Sequence, residues 1–72
     1  MSLFNIWVWE IKHREETHIT RQAMAGIIPG LTLGEIADQL AEATNSTHTI
    51  DESGMFIFRK KTEERKEDTD GE

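Results

Sequence analysis

Apolar residues crowd the first stretch of the chain. Leu3-Phe4-Asn5-Ile6-Trp7-Val8-Trp9-Glu10-Ile11 is rich in β-branched and aromatic side chains and predicts a strand over 3–11. Phe4, Ile6 and Val8 fall on one face of such a strand, and Leu3, Trp7, Trp9 and Ile11 on the other. Both faces are then apolar, so one packs on a core and the other needs a second cover: a tail, a dimer mate or a partner. Lys12-His13-Arg14-Glu15-Glu16 is polar and predicts a turn. Thr17-His18-Ile19-Thr20 is β-branched and predicts a second strand pairing back on the first. A helix over 14–27 is the competing reading, because Ile19, Ala23 and Ile27 are spaced four apart.

Ile28-Pro29-Gly30 breaks whatever precedes it. Thr32-Leu33-Gly34-Glu35 then fits a capping box, in which the Thr hydroxyl serves the N3 amide and the Glu reaches back to the cap amide. Leu31 and Ile36 fit the accompanying hydrophobic staple. The helix should run from Leu33 to about Thr44, with Ile36, Ala37, Leu40 and Ala43/Thr44 as its buried stripe and Asn45-Ser46 as its stop. Thr47-His48-Thr49-Ile50 predicts a short strand, Asp51-Glu52-Ser53-Gly54 a turn, and Met55 to Lys61 a closing strand. The order is β-β-α-β-β, an α+β fold with a small antiparallel sheet and one helix packed on one face. The first and last strands, apolar on both faces, take adjacent central positions.

Composition changes sharply after Lys61. Residues 62–72 contain six acids, two bases and no apolar residue, a net −4 of the chain's total −6. Such a segment buries nothing to offset its ordering entropy, so 1–61 is read as a single domain and 62–72 as a disordered acidic tail. The body, with eight acids and six bases, is only mildly acidic. The 72-residue chain has no cysteine, hence no disulfide and no thiolate metal site. No apolar run reaches a membrane span, and the segment from Leu3 to Ile11 is too short and too interrupted for a signal-peptide core. A cytoplasmic location is expected. A domain this short buries only ~60% of its unfolded surface. Homodimerisation is the natural source of extra burial.

Catalytic signals are missing. His13, His18 and His48 lie on predicted turns or strand ends without metal-ligand spacing. Ser2, Ser46 and Ser53 lie in no nucleophile elbow, and Gly26, Gly30 and Gly34 match no phosphate-binding loop. Neither an enzyme, a cofactor nor a metal is expected.

Three features are suited to binding. Glu35, Asp38 and Glu42 stand at i, i+3 and i+7 of the predicted helix, a ridge of like charge with no interleaved base. At 1.5 Å per residue the ridge spans roughly 10 Å. Its spacing resembles that of successive phosphates on a DNA strand. Asp51 and Glu52 on the following turn extend the acidic set. Trp7 and Trp9, on one face of the predicted first strand, are a possible dimer or partner anchor. Arg59, Lys60 and Lys61 with Lys12 and Arg14 form a basic cluster if the end strands are neighbours. The acidic balance argues against direct nucleic-acid binding there.

A Gly30-Leu31-Thr32-Leu33 approach to one acidic helix, between a short hairpin and a closing strand, resembles the small phage-encoded inhibitors of uracil-DNA glycosylase. More broadly it resembles phage early proteins that mimic DNA to disable host DNA-binding proteins, including inhibitors of the HU-type nucleoid protein. The resemblance implies a homodimeric DNA mimic acting on a basic host DNA-binding protein in the bacterial cytoplasm. The glycosylase inhibitors place an aromatic residue on or beside the helix. Gly34 to Glu42 contains none, so the broad basic surface of an HU-type protein fits better. A reading from a different class is a small homodimeric adaptor that binds a protein through an exposed Trp face or a sheet edge.

Overall fold

The computed structural model describes residues 2–61, so the expected acidic tail lies outside the described residues. The expected first strand is a helix, α1, Leu3–Lys12. Ser2 starts it: its hydroxyl accepts the Asn5 amide at 3.1 Å. Phe4, Trp7, Val8 and Ile11 turn inward at helical i, i+3, i+4, i+7 spacing, with Ile11 fully buried. A strand apolar on both faces would have needed two covers. The helix buries one of its faces and leaves Leu3, Ile6 and Trp9 exposed together with Asn5 and Lys12.

Both readings of 14–27 are realised in part. Strand β1, Glu16–Ile19, is followed by helix α2, Arg21–Ile27. Thr20 separates them as an N-cap, its hydroxyl accepting the Ala23 amide at 3.1 Å. Helix α3 runs Leu33–Thr44 with the expected capping box, and its buried residues are Ile36, Ala37, Leu40 and Thr44. Ala43 is exposed. Asn45 ends the helix in the left-handed region at φ 55°. Strands β2, Ser46–Ile50, and β3, Phe56–Lys60, form an antiparallel hairpin whose turn uses Gly54 at φ +90°.

Over the described residues the fold is therefore α+β, with three helices and a three-stranded antiparallel sheet in the order β1-β3-β2. The β-β-α-β-β order is overturned. The closing strand is central as expected, but its neighbours are β1 and β2. Thr17 pairs with Phe58, Ile19 with Phe56, and His48 with Phe58. One sheet face, carrying Thr17, Ile19, Ser46, Phe56 and Phe58, is buried under the helices. The other carries Glu16, His18, Thr47, Thr49 and Arg59, all exposed, around a half-buried Ile57. Helices α2 and α3 pack together across the turn 28–32 and are followed by the β2–β3 hairpin, the element order of a helix-turn-helix with a β-hairpin wing.

Candidate functional site

In a helix-turn-helix that reads DNA, the second helix enters the major groove. Here that helix is α3. Its exposed acids are Glu35, Asp38 and Glu42, and no Lys or Arg occurs between Leu33 and Thr44. The sign is opposite to that of a phosphate-binding helix.

Three of the five acids have a local role. Glu35 closes the capping box: Oε1 accepts the Thr32 amide at 3.0 Å and the Thr32 hydroxyl at 3.2 Å. Asp38 Oδ1 lies 3.0 Å from His48 Nε2, which ties α3 to β2. Its side chain is nonetheless 77% exposed. Glu42 is exposed one turn further on. Asp51 is a turn-builder. Its Oδ1 accepts the Ser53 hydroxyl at 2.7 Å, the Ser53 amide at 2.9 Å and the Met55 amide at 3.0 Å. The Ser53 hydroxyl and then the Met55 amide hold its carboxyl below the usual carboxylate range. Glu52 stands exposed beside it.

A shallow groove joins these elements, lined at the start of α3 by Leu33 and Gly34 and on the hairpin by His48, Ile50 and Gly54. Asp38 meets this groove through its contact with His48; Glu35, Glu42, Asp51 and Glu52 are not among its lining residues. Arg21 also lines it, at the hairpin side. A Cβ on Gly54 would sit 3.2 Å from the Arg21 Cδ.

The two tryptophans do not share a face. Helical geometry turns Trp7 to the core, half-buried, and Trp9 outward, 58% exposed. The Trp9 ring stacks on His13 at 4.2 Å between centroids and 17° between planes. Leu3 and Ile6 are exposed on the same helix. Reading 3–11 at period two concealed this stripe; reading it at 3.6 reveals it. The basic cluster is not the one expected, because its premise of neighbouring end strands fails. Arg14 pairs with Glu10 at 2.6 Å, and Arg59 reaches Glu16 at 3.5 Å. A hydrogen bond with His18, aided by Arg59, holds the Glu16 carboxyl below its usual range.

Among the described residues no group of three His, Cys, Asp or Glu side chains is placed to hold a metal ion, and no helix is long and apolar enough to cross a membrane. Comparison with protein-family models, curated proteins and solved structures finds no match to this chain.

Proposed function

We propose that the chain is a non-enzymatic, acidic, DNA-mimicking protein that occupies the DNA-binding surface of a basic host protein and inhibits it. One observation carries the reading: the second helix of a helix-turn-helix exposes three carboxylates and no base. Such a face repels phosphate and attracts the lysines and arginines that bind phosphate. Asp51 and Glu52 add two carboxylates on the hairpin turn, and the ionised state of Asp51 is reinforced by its hydrogen bonds. The proposed target is an HU-type nucleoid protein, with uracil-DNA glycosylase as the alternative target.

The test is binding to each target with and without duplex DNA, over a salt series. Binding should be displaced by DNA and should weaken steeply with salt. The triple variant Glu35→Gln, Asp38→Asn, Glu42→Gln keeps the hydrogen-bond acceptors of the cap and of the His48 contact. It should bind on the order of 100-fold more weakly, at about 1 kcal/mol per lost charge contact. Wild-type affinity in that variant, or no competition by DNA, defeats the proposal.

The exposure of Trp9 favours a second reading, an adaptor docking through α1. Under it, Trp9→Ala abolishes partner binding and the triple variant does not.

A further inference from the structure

Arg21 is the arginine that the fold leaves without a partner. Among the described residues Arg14 pairs with Glu10 at 2.6 Å and Arg59 with Glu16 at 3.5 Å, while Arg21 makes neither an ion pair nor a side-chain hydrogen bond. Acids are not scarce: the chain has 14 of them to 8 bases. Asp51, on the turn that Arg21 approaches, has its Oδ1 committed to Ser53 and Met55 instead.

The arginine is nonetheless held in place. Its side chain lies across the hairpin turn at Gly54, where a Cβ would stand 3.2 Å from Arg21 Cδ and 3.5 Å from Nη1. The absence of a side chain at Gly54 is what admits it. Arg21 is thereby set at the hairpin side of the groove between the start of α3 and the hairpin, and two further shallow grooves adjoin there. The body of the groove is apolar, walled by Leu33, Ile50 and Phe56. Ile50 is 57% exposed, so no other described residue covers this wall. Asp38 reaches the groove through its contact with His48 and disfavours a second anion there. One anionic end and one apolar body match these walls.

We propose that this groove binds a small monocarboxylate with an apolar body, of the fatty-acid or arylalkanoic class. Its carboxylate lies on the Arg21 guanidinium, whose planar fork of donors suits a carboxylate. Its body lies against Leu33, Ile50 and Phe56. An apolar cleft with a few placed polar groups is the usual make-up of a small-molecule site, and the volume of about 320 Å³ is at the lower end for one, which selects a short body. The chain's own segment 62–72 offers carboxylates but no apolar residue. It also follows Lys61, whose amide bonds Asn45 beside Ser46, at the opposite end of the hairpin from Ile50 and Phe56. The proposal goes beyond the acidic surface of α3 and does not depend on it.

Titration of the full-length chain with octanoate, octanol, octylamine and acetate, followed by amide chemical shifts in proton–nitrogen NMR spectra, tests it. Octanoate should move the amides of Gly34, Ile50 and Gly54 and bind about 10-fold more tightly than the other three, the size of one charge-assisted hydrogen bond. Arg21→Gln should bring octanoate down to the level of octanol, and Arg21→Glu should prefer octylamine to octanoate. Ile50→Thr keeps a β-branched residue in β2 and should weaken octanoate about 3-fold. Both positions are exposed, so far-ultraviolet circular dichroism should not change. If it does change in the Arg21 variants, the four probes on wild type and on Ile50→Thr decide the matter. Equal binding of octanoate and octanol to wild type, undiminished octanoate binding in a folded Arg21→Gln, or shifts centred on Leu3, Ile6 and Trp9 each overturn the proposal. So does tighter binding of a short peptide with a C-terminal leucine carboxylate, which assigns the groove to protein C-termini. No DNA-binding target enters these titrations, so failure here and failure of the mimic reading are separate outcomes.

Discussion

Thr17 is the least comfortable side chain in the core. It is 5% exposed, and its hydroxyl finds no hydrogen-bond partner among the described residues. A buried hydroxyl without a partner costs about 1–3 kcal/mol by mutational measures. Thr17→Val keeps the branched shape and the strand preference of β1 while removing that cost. The variant should be more stable by on the order of 1 kcal/mol, raising the melting temperature by roughly 4–8 °C for a domain of this size. An unchanged or lower melting temperature would mean that the hydroxyl is satisfied. Nothing in the local sequence distinguishes Thr17 from its exposed neighbours. Its burial comes from the inward side of β1 opposite Phe58, a partner forty-one positions away. Glu35 is the contrary case. Its capping role is legible from Thr32 alone, because the contact closes within four residues.

Legibility follows the same rule among the elements. Helix α3 and the β2–β3 hairpin were readable because their signals are local: a capping box, Asn45 as stop, and Asp51 to Gly54 as turn. Helix α1 was not. Its apolar residues satisfy a period of two as well as a period of 3.6, and only the Ser2 cap and the single available core decide between them. The acidic ridge was legible as a pattern, but the tie of Asp38 to His48 needed the sheet. The hairpin offers a test at this scale. The folded state holds the pKa of the Asp51 carboxyl below its ordinary value of 3.8. A carboxyl depressed in this way contributes stability that is fully present above its unfolded pKa and is lost as pH falls through the folded one. Asp51→Ala should therefore melt below wild type near neutral pH. The two melting curves should converge as pH drops from about 4 toward about 2. A gap that stays constant through that window would assign the turn's stability to something other than the carboxylate.

For the molecule as a whole, β3 is the keystone. It is the only strand bonded to both others, and Phe58 on it is fully buried. Removing a buried Phe side chain costs about 3–5 kcal/mol. A domain of this size has roughly 3–9 kcal/mol in total. Phe58→Ala should leave a chain largely unfolded at 37 °C, visible as loss of cooperative denaturant unfolding. A cooperative transition near the wild-type midpoint would show that the core repacks around the gap. The sequence made β3 central, correctly, from its two apolar faces. It could not supply β1 as the second neighbour, because pairing of β1 with β3 is a long-range contact across both intervening helices.

That strand order also sets a timetable for synthesis. Both β1 and β2 bond only to β3, so neither has a strand partner until Phe56 to Lys60 have been made. Lys60 is added forty-one positions after Ile19. At about 5–20 residues per second, β1 waits roughly 2–8 s on the ribosome with its edges unpaired. Until then Ile11, Ile19 and Met24 have only part of their cover. The nascent chain therefore carries an unpaired β1 through that interval, and its sheet closes only after β3 has been made.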